Sequence, residues 1–215
     1  MSVADEPPPP SMPLVAGRRF GHFDNRELST IALLAALHFT VSFASNVFGS
    51  LVYALTGPAA VFVSGVTGEG LPSLLLATAV VLVPRVGTAT LSIATVWLMN
   101  AVATGTFAVD STGMVLVSIV THEIMLGAIG VTLETPWSRL SSRMRSVDAI
   151  RCAAAIGLAN SATLYAQFFI SIFATRRHFD PWFIHAVALV TGLGFGAIGA
   201  AVGCVWGFQL RKTAP

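Results

Sequence analysis

The stretch that most constrains this chain is TGMVLVSIVTHEIMLGAIGVTL, Thr112 to Leu133. It is an apolar run of the length a bilayer-crossing helix needs, about 20 residues. Near its middle stand His122 and Glu123. An ionisable pair at that depth costs several kcal/mol in hydrocarbon unless it faces protein or a wet cavity. A fold that contains this helix must therefore surround the pair, and the remaining sequence supplies the surroundings.

Charged residues are 10% of the chain and apolar residues 54%, whereas soluble domains carry about 25% charge. A soluble protein of 215 residues would need a charged surface that is missing here. The composition points to an all-α integral membrane protein. The formal charge of +2 indicates no nucleic-acid partner, because the basic residues form short clusters between apolar runs, as topology signals do. Cys152 and Cys204 follow no metal or redox spacing and are expected as free thiols.

Residues 1–25 are Pro-rich and polar and read as a disordered cytoplasmic tail, with Asp24 or Asn25 capping the helix that follows. Residues 26–212 read as a single transmembrane domain. Its first crossing spans Ser29 to Val47, where His38, Ser42 and Ser45 share one face, with Asn46 at its edge. Ala32 and Ala36 form a small-xxx-small pair on another face, open to close approach by a second helix. From Gly49 to Gly70 the apolar sequence is broken by Gly57-Pro58, Gly65, Gly68 and Gly70, and residues 50–68 read as a short broken or re-entrant segment. The basic groups around Arg26, Arg85, Arg143 and Arg211 belong on the cytoplasmic side, which requires one full crossing at residues 69–84. Further crossings follow at Gly87–Phe107, Thr112–Leu133, Val147–Thr175 and Phe183–Leu210, with Asp110 in an external turn. The expected fold is thus a six-helix transmembrane bundle with a broken or re-entrant segment after the first helix and both termini cytoplasmic. In the last helix Gly192, Gly196, Gly199 and Gly203 make a glycine seam on the side of His185, a sign of very close packing.

His122-Glu123 is not a zinc-protease motif, because the second histidine would stand at position 126, which is leucine. No nucleophile elbow, phosphate loop or CxxC pair occurs, so neither an enzyme nor a resident cofactor is expected. Any uphill movement would draw on a partner or an ion gradient. The remaining polar residues suit recognition of a small organic substrate. Asn46, Trp97, Asn100, Tyr165, Gln167 and His185 fall in the outer halves of their helices, and with His122 and Glu123 they form the candidate binding set. No metal site is assigned, although His38, His122, Glu123 and His185 would supply ligands if they converged.

The opening line RELSTIALLAALHF, the six helices and the Gly/Pro-broken second segment resemble the substrate-binding (S) component of an energy-coupling factor vitamin transporter. Members of that family carry an Ala-xxx-Ala pair in the first helix, matched here by Ala32 and Ala36. The resemblance implies a multi-pass subunit of the bacterial cell membrane that binds a small, vitamin-like compound. It also implies docking, through the Ala32/Ala36 face, on a transmembrane coupling subunit driven by ATPase subunits. Two readings compete with it: a proton-coupled carrier using Glu123 and His122 as a relay, and a structural subunit of a larger membrane complex.

Overall fold

The computed structural model describes residues 14–15, 18–19, 22–56, 65–105, 109–129, 142–175 and 180–213. In the N-terminal region two-residue strands β1 (Leu14–Val15) and β2 (Arg18–Arg19) pair antiparallel. Everything after them that is described is helical apart from short connections.

Helix α1 (Asn25–Thr56) starts at a reciprocal cap. The Asp24 carboxylate accepts from the Glu27 amide at 2.7 Å, and the Glu27 carboxylate accepts from the Asp24 amide at 2.9 Å. Two otherwise unmet amides are satisfied in this way. Glu27 also accepts from Arg85 Nε at 2.6 Å, tying the start of α1 to the segment after α2 (Leu71–Leu82). The helix runs past Val47 to Thr56, so the break expected from Gly49 onward does not begin there. Gly57-Pro58 lies outside the described residues. Gly65–Gly70 is a π-helical turn that leads directly into α2, and it belongs to the second crossing rather than to a separate re-entrant piece. Pro72 is the second residue of α2, directly after the π-helical turn.

Helices α3 (Thr88–Thr104), α4 (Val109–Ile129) and α5 (Ser142–Thr175) follow. Asp110 stands in the first turn of α4 rather than in a turn before it. The last rod is built of α6 (Pro181–Val187), a π-helical stretch Ala188–Phe195 and α7 (Gly196–Thr213) without a break. Four of these rods are long and apolar enough to cross a bilayer, and two shorter apolar helices lie at Thr88–Thr104 and Thr112–Ala128. The chain is an all-α bundle of the membrane type. Its outer surface carries Leu33, Val102, Ile150, Phe173 and Ile198, each at least 65% exposed. Such side chains suit a lipid environment.

The rods close into a ring: α1 packs on α2 and α3, α3 on α4, α4 on α5, α5 on the last rod, and α7 back on α2. At one end α2, α5 and α7 enclose a close-packed core of Ala77, Val80, Val81, Cys152, Ile156, Ala200, Cys204 and Phe208. Both cysteines there are free and buried. The glycine seam divides its contacts. A Cβ at Gly192 would lie 2.9 Å from the Ser161 backbone on α5, and one at Gly196 would lie 2.6 Å from Asn160 Nδ2. At Gly199 and Gly203 it would instead run into the carbonyl oxygens of Gly70 and Leu74. The backbones of α7 and α2 therefore touch, and Thr78 Oγ1 donates across that contact to the Gly203 carbonyl at 3.1 Å.

Replacing Gly203 with alanine is expected to lower stability by about 1–3 kcal/mol, the range for overpacking. Thermal unfolding of the purified protein in detergent reads this out. Gly113→Ala, where a Cβ meets nothing within 4 Å, is the control and should leave the midpoint unchanged or slightly raised.

Candidate functional site

Opposite the packed core the bundle is hollow. A cavity of about 360 Å³ lies between α1, the π-helical turn before α2, α2 itself, α3, α4 and α5. Pro72, Leu76, Ile93, Val96, Met114, Val115 and Leu164 form its apolar wall. The polar groups around it are His38, Glu69, Ser73, Asn100, Ser118, His122, Asn160, Thr163 and Gln167, with the Trp97 indole. They arrive there by helical spacing: His38 comes from the inner face of α1, beside buried Ile31 and Ala35. Trp97 and Asn100 are i, i+3 neighbours on α3, and Asn160, Thr163 and Gln167 repeat along α5.

A hydrogen-bonded chain crosses the floor of the cavity. His122 Nδ1–H donates to the Ser118 carbonyl at 2.7 Å, and Nε2 lies 2.9 Å from the Asn160 side-chain oxygen. Asn160 Nδ2 then donates to Ser73 Oγ at 2.7 Å. Helices α4, α5 and α2 are thereby joined through one buried histidine and one asparagine, and Thr121 and Thr163 add a second link between α4 and α5 at 3.2 Å. With an imidazolium at His122 both ring bonds form as described. With a neutral ring they form after the Asn160 amide turns over, Ser73 then being the donor. The chain is complete in either charge state.

Of the residues expected from sequence, Trp97, Asn100, His122 and Gln167 line the cavity. The side chain of Asn46 lies outside the described residues. Tyr165 and His185 are brought to each other instead: Tyr165 Oη is 2.8 Å from His185 Nδ1, the rings meet edge to face, and neither residue lines the cavity. The last rod contributes nothing to the lining among the described residues, and the segment before α2 takes the place expected of it. Glu123 points elsewhere. Its carboxylate accepts from the amides of Gly87 and Thr90, each at 3.2 Å, and from Thr90 Oγ1 at 3.3 Å. The residue before α3, Gly87, has no side chain to cap that helix, so Glu123 supplies the cap from α4. Ala32 is exposed and Ala36 half-buried on the outside of α1, away from the cavity. His38 and His122 reach the cavity while Glu123 and His185 do not, and among the described residues no three His, Cys, Asp or Glu side chains form a metal-holding group.

Glu69, Ser73 and Ser118 were not anticipated. For Glu69 a signal existed: it is the only Asp, Glu, Lys or Arg between Glu27 and Arg85. No protein-family model, curated protein or solved structure matches the chain. The fold and the cavity define a polytopic membrane bundle with an internal chamber of small-molecule size.

Glu123→Ala should destabilise the bundle by about 0.5–2 kcal/mol, the worth of a helix cap. Glu123→Gln keeps one acceptor oxygen and should lose less. Thermal midpoints of the two variants in detergent check the order.

Proposed function

We propose that the chain is a membrane-embedded substrate-binding subunit for uptake of a small, vitamin-like organic compound. The single observation that carries this reading is the cavity: about 360 Å³, apolar-walled, with a few converging polar groups. Small-molecule sites occupy about 300–1,000 Å³ and have that composition. The sequence holds no ATP-hydrolysing motif, so transport against a gradient is assigned to a transmembrane coupling subunit and its ATPases, as the resemblance to energy-coupling factor S components implies. The outward Ala32/Ala36 face is the surface proposed for that coupling subunit, because small side chains let helix backbones approach closely in lipid. The location that follows is the bacterial cell membrane, with cytoplasmic termini.

Asn100 is a direct test of binding. Its Nδ2 donates to the Val96 carbonyl at 3.1 Å, which leaves Oδ1 to accept from a ligand. Loss of one such bond to a buried partner costs about 1–3 kcal/mol. Mass spectrometry of small molecules released from the purified protein should identify the cargo, and Asn100→Ala should weaken its binding about tenfold or more. Unchanged affinity in both Asn100→Ala and Gln167→Ala would return these residues to a packing role.

Ala36→Trp is expected to abolish uptake and co-purification of the coupling subunit while cargo binding persists. Joint loss of binding and uptake would place Ala36 in the internal structure of the bundle instead.

A further inference from the structure

Glu69 is the acidic residue of the cavity lining. It stands in the π-helical turn Gly65–Gly70, which is pinned from behind. A Cβ at Gly65 would fall 2.5 Å from the Phe195 ring, and Gly70 carries the carbonyl on which Gly199 rests. The turn cannot move back, so Glu69 is held toward the chamber. Gly68 beside it has open space where a Cβ would be. Among the described residues Glu69 accepts no hydrogen bond and makes no ion pair, in contrast to Glu27, whose carboxylate meets Arg85 at 2.6 Å. Among the described residues neither lysine nor arginine lines the cavity. The other titratable side chains that face it among the described residues are His38 on α1 and His122 on α4, and the nitrogens of His122 are engaged by Ser118 and Asn160.

A carboxylate in a largely apolar chamber is stable when its charge is matched or its oxygens accept strong donors. Among the described residues neither is supplied at Glu69. The indole of Trp97 lines the same chamber, and an aromatic face adds attraction for a cation. Resting on the binding reading above, we infer that the compound carried in this cavity is an organic cation, a protonated amine or nitrogen heterocycle. Its positive N–H group would bond to Glu69 while its apolar body lies along Trp97, Leu76 and Val96. An inorganic cation fits less well. The chamber is far larger than a bare ion, and three ligating side chains do not gather among the described residues.

The test uses the purified full chain in detergent and a host-cell small-molecule extract, separated by ion exchange into cationic, neutral and anionic fractions. Each fraction is read by the shift in thermal midpoint, since a ligand bound to the folded state raises it, and by the compounds retained on the protein. The cationic fraction should stabilise the wild type, and its retained compound should bind Glu69→Gln at least tenfold more weakly. Glu69→Asp, which keeps the charge, should retain part of the effect. An unliganded midpoint at or above that of wild type in Glu69→Gln or Glu69→Asp certifies folding. Stabilisation by the neutral or anionic fraction and not the cationic one would overturn the inference and leave the binding reading standing. So would stabilisation by sodium or magnesium chloride alone. If no fraction stabilises the wild type, the binding reading falls, and this inference with it.

Discussion

The bundle depends on the contact between α7 and the segment running from the π-helical turn into α2. Gly199 and Gly203 let the α7 backbone settle on the carbonyls of Gly70 and Leu74, and in lipid such packing replaces the hydrophobic drive that folds soluble proteins. The contact fixes the height and rotation of α2. It thereby aims Ser73 at Asn160 and presents Glu69 to the chamber. Gly65 against Phe195 repeats the device one turn earlier, where two π-helical stretches pack on each other. Departures from α-helical spacing of this kind are frequent at functional sites.

Gly196 shows how packing and polarity are joined. The space a Cβ would occupy there is taken by the Asn160 amide, so the absence of a side chain on α7 is what allows the chain Ser118–His122–Asn160–Ser73 to cross the bundle. A polar group left unpaired in this setting would cost several kcal/mol. Pairing each of them along a chain instead gives the cavity a rigid floor, against which the side chains with free hydrogen-bonding capacity stand out. Asn100 and Glu69 are of that kind, whereas His122 serves the floor and the cavity at once.

Much of this was legible in the sequence. Six apolar segments gave the rods, and of the polar residues expected to bind, Trp97, Asn100, His122 and Gln167 do line the cavity. What escaped has a common cause, since periodicity carries information only while the helix keeps its period. The π-helical stretch Ala188–Phe195 shifts the register between His185 and the glycines after it, and so His185 meets Tyr165 at the edge while Gly199 meets Gly70. Glu69 sits in the other irregular turn, where no face could be assigned from spacing. Where the helix is regular the spacing holds: adjacent residues point about 100° apart, so His122 enters the chamber while Glu123 turns to the start of α3.

The divergence of those two residues bears on the reading of His122 and Glu123 as a proton relay. A relay between His122 and Glu123 would need their side chains to exchange a proton with each other or with a common group. Glu123 instead meets the N-terminal amides of α3, where the helix dipole favours a negative charge, and its work is accounted for by holding two helices together. The carboxylate within the chamber is Glu69, on a different helix and in an irregular turn. A charge in the wall of the chamber is where the proposed binding role would use one. Under the binding role proposed above, the chamber would select what is bound, and the work of moving it would be left to a partner.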